Sequence, residues 1–559
     1  MIVRRFSYLT CLALSLTLGC ASTEEVREIP PVGIGSAFSA RFDGDDPKGV
    51  IKVGDVPLRW SAALRAVYGK RGYEPVWIES GEVSPRGVAL AAALGEAREE
   101  GLSPERYRFL EIESLLAAIA RSKDGAGELR VAQLVDLELL LANGLLGYAT
   151  DLSEGRIDPD AVNAQWEIRR RKTDPETLLR GAAGAADIQA YLQGLRPVHP
   201  LYAELKREMA RYLAISRSGK WTAVPLGRKL EKGVRGRDVA ALKARLAAEG
   251  YIAGGGAEET GRFDAALAAA VRDYQRRNGL DVDGVAGPET LAALNVPADS
   301  RLRQIQVNLE RLRWLPRTLG DRYLLVDIAG FRLIVFESDR PVLTMGVIVG
   351  RESRPTPIFS DRMNHVVFNP FWRVPHSIAV KDELPDIKQD PEFFATHEME
   401  VFRYERGGGM VKIDPATVDW SAVTEDNFRY FLRQKPGAMN ALGHVKFMFP
   451  NRHSVYLHDT PTQNLFRQSK RTFSSGCVRV ARPIDLGAYL MAGNPGWDRE
   501  RFAGTIAEGK TRTITLKRRL PIHLVYLTAW AEAGKPVEFR RDIYDRDAAL
   551  LAALFRSQQ

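Results

Sequence analysis

Beyond the first twenty residues the chain has a single cysteine, Cys477, set in Ser474-Ser-Gly-Cys-Val-Arg-Val480. Upstream, His458 stands in Tyr456-Leu-His-Asp-Thr460. A thiol becomes a good nucleophile when a nearby imidazole takes its proton or stabilises the thiolate, so the two types together suit acyl transfer. Gly476 lets the backbone turn sharply beside the thiol, and such a turn can aim backbone N–H groups at a developing oxyanion. Val455-Tyr-Leu has strand character, which puts His458 at a strand end, and Val478-Arg-Val480 reads as the start of the next strand or helix. Two such positions can converge although they are far apart in the chain. The bland alternative is a buried structural cysteine beside an unrelated histidine.

Compartment bears on that choice. Met1-Ile-Val-Arg-Arg5, the apolar run Phe6 to Leu18 and Gly19-Cys20-Ala-Ser22 make residues 1–20 a secretory signal peptide rather than a membrane span. Leu18-Gly19-Cys20 also resembles a lipobox, with Cys20 as the lipidated first residue of the mature protein. Thr17 stands where that pattern usually has leucine, so cleavage without lipidation stays open as the alternative. Cys11 lies in the signal, so export leaves Cys477 with no partner for an internal disulfide. An unpaired thiol in an oxidising compartment is a liability unless it is used, which favours the nucleophile.

His458-Asp-Thr460, then a gap, then Ser474-Ser-Gly-Cys-Val-Arg479 resembles the signature of the L,D-transpeptidases with a YkuD-type catalytic domain. In many members a histidine precedes the Gly-Cys; here Ser475 stands there, which looks like the large multidomain Gram-negative branch. The resemblance implies Cys477 as nucleophile, His458 as proton donor and acceptor, and Gly476 in an oxyanion-hole turn. It also implies a peptidoglycan stem peptide as donor and another as acceptor, joined in a 3→3 cross-link. Arg479 has the planar fork that suits a substrate carboxylate, against the alternative of structural ion pairing. Ser475, Tyr456 and Trp372 are further pocket candidates, the two aromatic residues being equally suited to a core. Asp459 should point away from its neighbour if the strand continues. A backbone carbonyl is therefore the preferred orienter of His458, ahead of Ser474 or Ser475.

The elements that must position this pair fill a chain of 559 residues, 45% hydrophobic, long enough for three or four domains. The fold class expected is multidomain α+β. Residues 21–48 are polar and rich in turn formers and read as a linker. From 49 to 215 the pattern is helical, with Leu58–Tyr68 amphipathic, Ser84-Pro and Ser103-Pro as helix starts, and a long apolar helix over Val131–Tyr148. Tyr148-Ala-Thr-Asp-Leu-Ser-Glu-Gly-Arg in this stretch looks like the scaffold domain of the large transpeptidases. Residues 228–297, with Val234-Arg-Gly-Arg-Asp-Val, Ala270-Val-Arg-Asp-Tyr-Gln and Gly287-Pro-Glu-Thr-Leu291, resemble the three-helix peptidoglycan-binding type 1 module. From Tyr323 the period becomes strand-like, with a hairpin over 323–336 and a third strand over 342–349. The mainly-β catalytic domain is placed at 301–540, interrupted at about 376–442 by a long polar, glycine-containing insertion that resembles a capping subdomain. A C-terminal helix is expected in 541–559.

The formal charge of +9 suits an acidic partner. Export and the lack of any nucleic-acid motif argue against DNA or RNA. His444, His453 and His458 are close in sequence, but no His-Glu-x-x-His or paired-cysteine spacing accompanies them, so no metal and no cofactor is expected. A periplasmic location follows from the signal, with an outer-membrane lipid anchor if Cys20 is acylated; oligomeric state is not legible. Two rivals stay open: a hydrolase on the same scaffold (an L,D-carboxypeptidase or a protease acting on wall-attached lipoprotein), and a non-catalytic wall-anchoring protein.

Overall fold

The helix Glu128–Glu154 is buried along most of its length and forms the axis of the first core. Helices Ser61–Lys70, Pro85–Gly95, Phe109–Arg121, Pro175–Gly184 and Ile188–Leu195 pack around it. Close approach needs Gly144, where a Cβ would lie 2.9 Å from both a Leu94 methyl and the Tyr107 carbonyl. Ser84 caps its helix as expected, accepting the Gly87 N–H at 3.1 Å with Pro85 at the first position. Ser103-Pro104 does not open an α-helix. Its hydroxyl is drawn to the Glu105 carboxylate, Pro104–Tyr107 form a single 3₁₀ turn, and the α-helix starts only after Arg108, at φ +61°. The structure is a computed structural model describing residues 31–42, 49–121, 127–162, 166–219, 221–252, 261–405 and 408–556. The signal segment and Cys20 lie outside the described residues.

Two expectations change here. The stretch read as a linker, 21–48, contains a helix at Pro31–Ser39. Ile34, Phe38 and Phe42 recur at helical spacing and are buried, Phe38 standing edge-on to Tyr68 at 4.8 Å. The polar average composition hid that stripe. The helical region expected to end at 215 closes with helix Pro200–Ser218, which runs past that bound and buries Leu201, Leu205, Met209 and Tyr212 in the core of the C-terminal domain, alongside helix Ala298–Arg313.

The middle module has three helices, Arg237–Ala248, Ala265–Arg277 and Pro288–Leu294, closed over Val239, Leu242, Leu246, Leu267, Val271 and Tyr274. It is docked, not dangling. Arg277 reaches Glu538 at 3.5 Å and donates to the Pro536 carbonyl at 3.4 Å, and Arg540 donates to the Arg276 carbonyl at 3.2 Å. Glu538 also pairs with Arg332 at 2.7 Å and Arg540 at 2.9 Å.

The C-terminal domain is built on nine strands: β1 (Arg322–Asp327), β2 (Arg332–Glu337), β3 (Arg340–Gly350), β4 (Phe359–Phe368), β5 (Val445–Met448), β6 (Leu457–His458), β7 (Thr472–Ser474), β8 (Val478–Val480) and β9 (Arg512–Val525). Their order is β7-β3-β8-β6-β5-β4-β9-β1-β2, and β2 also pairs with β3, so the sheet returns to its own edge. Runs of β-branched and aromatic residues account for the strands; β1 and β2 are buried on both faces, β5 alternates, and all three contribute to one continuous core. The insertion carries its own antiparallel sheet, ordered Met410–Ile413, Met399–Tyr404, Tyr430–Gln434 and Trp372–Arg373, over a separate core. It therefore begins before Pro375. The last helix, Asp547–Arg556, buries Leu550 and Leu554 against the main core. The chain is thus multidomain α+β, with a helical N-terminal region, a small helical module and a mainly-β domain.

Candidate active site

Parallel pairing of β6 with β8 decides which side chains meet. Leu457 pairs with Val478 and His458 with Arg479. Side chains alternate along a strand and paired residues share a face, so Tyr456, His458, Cys477 and Arg479 lie on one face. The antiparallel neighbour β5 adds Lys446, paired with His458. The opposite face carries Phe447, Leu457 and Val478, all fully buried. That core fixes the register, because a slip of one residue would turn His458 inward.

The turn before the cysteine is held from several sides. Gly476 has φ +111°, while an added Cβ would meet nothing closer than 3.8 Å. Backbone conformation, and not space, is what demands glycine. Ser474 Oγ donates to the Cys477 carbonyl and accepts the Gly476 N–H at 3.2 Å, so it shapes the turn and does not orient His458. Thr356 Oγ1 donates to the Gly476 carbonyl at 2.9 Å, and the Arg351 N–H donates to the Ser474 carbonyl at 2.9 Å. Ser475 Oγ accepts from Arg351 at 2.9 Å and Arg354 at 3.0 Å. Both arginines also bind Asp382, which belongs to the insertion.

His458 Nδ1 lies 2.6 Å from the Asp459 carbonyl oxygen. A carbonyl only accepts, so Nδ1 carries the proton and Nε2 of the neutral ring keeps its lone pair. The Asp459 carboxylate is turned away, accepting from the His444 N–H at 2.9 Å and Gln463 Nε2 at 3.1 Å. Burial above all, then the positive charges of Arg479 and Lys446, push the imidazole down to about 3, against the bond to Asp459. The ring is neutral at physiological pH.

The Cys477 thiol is partly exposed and donates to the Ser454 carbonyl at 3.8 Å. Asn451 builds the loop that presents this carbonyl: its Oδ1 accepts the His453 and Val455 N–H groups at 3.0 and 3.1 Å, and its Nδ2 donates to the Phe449 and Val455 carbonyls. Burial pushes the thiol up; hydrogen bonds from the Tyr456 backbone and hydroxyl, and the charges of Lys446 and Arg479, pull it down. Arg479 Nη1 donates to Thr462 Oγ1 at 3.2 Å, and its buried Nε has no partner among the described residues.

Trp372 stays with the insertion, where it pairs with Gln434 and packs on that core. His453 is 2.6 Å from Glu167 and His444 is exposed, so the three histidines close in sequence do not converge. Lys446, Thr356, Asp382 and Asn451 are residues that sequence reasoning missed. Each acts through register or a long-range contact, and only the alternation in Val445-Lys-Phe-Met hinted that Lys446 shares a face with the site. A neutral thiol and a neutral, oriented imidazole on one sheet face can carry out nucleophilic acyl transfer with the ring as base and then acid.

Comparison with known proteins matches three family profiles: a scaffold domain over residues 62–209, a peptidoglycan binding domain over 235–294 and an L,D-transpeptidase catalytic domain (YkuD) over 321–497. A protein of Haemophilus influenzae, provisionally named an L,D-transpeptidase, is 35% identical over 245 residues, 44% of this chain and 48% of the relative. The chain thus spans about half the length of that curated relative. Among solved structures, an L,D-transpeptidase from Xylanimonas cellulosilytica is 17% identical, covering 54% of this chain and 99% of its own, with a TM-score of 0.17. One from Stackebrandtia nassauensis is 13% identical, covering 54% and 96%, with a TM-score of 0.21. From N- to C-terminus, the chain carries a scaffold domain, a peptidoglycan-binding domain and an L,D-transpeptidase catalytic domain of the YkuD type.

Proposed function

We propose that the protein is an L,D-transpeptidase that forms 3→3 cross-links between meso-diaminopimelate residues of peptidoglycan stems, acting in the periplasm. The observation that carries this reading is the placement of His458 and Cys477 on one face of neighbouring parallel strands, inside a matched transpeptidase domain. Cys477 Sγ attacks the carbonyl carbon of the third residue of a tetrapeptide donor while His458 Nε2 takes the thiol proton. The oxyanion of the tetrahedral intermediate is stabilised by the turn at Gly476. Because the Gly476 N–H is committed to Ser474, the donor assigned in this proposal is the Cys477 N–H. Collapse breaks the peptide bond, His458 returns the proton to the leaving D-alanine amine, and a thioester remains.

The side-chain amine of a second stem then attacks the thioester, giving its proton to His458. The new amide forms, the thiolate leaves and recovers the proton. Arg479, with Nε unpaired and no acidic group acting on it, is assigned to a substrate carboxylate. Tyr456, whose hydroxyl draws the thiol down, borders the pocket, and Ser475 shapes its rim through Arg351 and Arg354.

The test incubates purified protein and its Cys477→Ala variant with tetrapeptide muropeptides and reads products by mass spectrometry. Dimers with loss of D-alanine, absent from the variant, are expected. Tripeptide monomers alone would replace the reading with an L,D-carboxypeptidase, and unchanged muropeptides with retained wall binding would replace it with an anchor.

A further inference from the structure

Lys446 lies beside the thiol but belongs to none of the roles above. Its side chain shares the sheet face of His458, its cross-strand partner, and runs back along that face to the preceding row. There its Nζ stands 4.2 Å over the centre of the Tyr456 ring. The pairing of Leu457 with Val478 sets Tyr456 beside Cys477 on the same face, and its hydroxyl draws the thiol down. An ammonium, an aromatic face and the thiol are thus stacked in sequence on a half-buried surface.

The electrostatic surroundings are one-signed. The charged groups that act on Lys446 are Cys477 and Arg373; the one that acts on Arg479 is Cys477. Lys446 also bears on His365 and on His458, lowering both. No carboxylate acts on either cation, and neither makes an ion pair among the described residues. A partly desolvated ammonium without a counter-ion is unfavourable unless an anion forms nearby in the working cycle. The anion that forms on this face is the Cys477 thiolate. It appears when the thiol proton leaves for His458 Nε2, and again when the amine acceptor expels the sulfur.

We infer that Lys446, docked on the Tyr456 ring, is an electrostatic positioning residue that, with Arg479, stabilises the Cys477 thiolate. Burial first, then the Arg479 charge and last that of Lys446 keep His458 without a second proton, so the resting pair is thiol and neutral imidazole and not an ion pair. The role assigned to Lys446 is therefore chiefly at the sulfur, with a smaller share in keeping Nε2 open.

This inference deepens the reading of Cys477 as nucleophile, but its test uses no peptidoglycan, so it can fail or stand independently of the proposed reaction. Full-length protein is alkylated with iodoacetamide across a pH series, and labelling is followed on the peptide that carries Cys477. Lys446→Met keeps the apolar stem on the ring and removes the charge, and is expected to raise the midpoint by about one pH unit or more. Lys446→Arg keeps the charge and is expected to hold the midpoint close to the parent. A Lys446→Met profile that superposes on the parent overturns the inference, as does an Arg variant displaced as far as the Met variant. If Lys446→Met does not fold, Lys446→Gln is read against the same two outcomes.

Discussion

Thr356 and Gly476 are joined by one hydrogen bond of 2.9 Å, from a hydroxyl that has no solvent contact. The same Oγ1 accepts the Gly350 N–H at 2.9 Å, so a single buried side chain satisfies both the end of β3 and the carbonyl next to Cys477. Thr356→Val keeps the shape and removes the hydroxyl, leaving a buried donor and a buried acceptor unpaired. The expected loss is about 1–3 kcal/mol in urea unfolding. Alkylation of Cys477 should also become less uniform in rate as the turn loosens. Unchanged stability together with unchanged alkylation would show that the turn is held by its other bonds.

Asp382 couples the insertion to the Cys477 turn through Arg351 Nη2 and Arg354 Nη1, each of which donates to Ser475 Oγ as well. These pairs are part-exposed, so Asp382→Asn is expected to change global stability by only about 1 kcal/mol or less. The effect should appear locally. Hydrogen exchange of the segment around Leu384 to Gln389 is expected to speed up, with exchange in Glu128–Glu154 unchanged. Equal exchange in variant and parent would remove the clasp from the account.

The buried imidazole of His458 makes a pH prediction whose sign can be worked out. Its pKa falls from 6.5 in the unfolded chain to about 3 in the fold. Between those values the unfolded chain binds the proton and the folded one does not. Stability from this group therefore rises with pH across that window and is level above it. His199, lowered by burial to about 4, contributes with the same sign. In NMR titration from about pH 8 down to about pH 5, the His458 ring resonances should not shift. An inflection near 6.5 would mean that the folded site lets the ring take its proton as freely as in the unfolded chain, and that burial and the neighbouring cations do not hold it neutral.

Glu538 holds three arginines at once, Arg277, Arg332 and Arg540, with little exposure on any of them. Glu538→Gln leaves those cations without their shared anion, and a loss of about 3–5 kcal/mol is expected in denaturant unfolding. Proteolysis between the middle module and helix Ala298–Arg313 should also accelerate. A variant as stable and as resistant as the parent would show that docking rests on apolar contact alone.

What could be read in advance was what is local. His458 at a strand end, Gly476 in a left-handed turn and the three helices of the middle module each depend on a few adjacent residues, and each has a short signature. The misplaced pieces are those whose structure is decided at a distance. Pro31–Ser39 is a poor helix by composition and is helical because Ile34 and Phe38 find the core around Glu128–Glu154. The helical pattern expected to run to 215 could not say which core the face of Pro200–Ser218 would meet. Lys446 is one lysine in an alternating strand, and its place beside the thiol exists only in the register of β5 with β6. Asp382 meets Arg351 only because an insertion folds back over the site.

The joint at Glu538 also fixes a length. A module on a slack tether would let the catalytic domain search a sphere of wall around each attachment point. A module locked through Arg277, Arg276 and Arg540 gives the chain a set span instead. Under the proposed function, Cys477 would then address bonds at one distance and one orientation from wherever that module is held, so the fold would work as a ruler laid along the polymer.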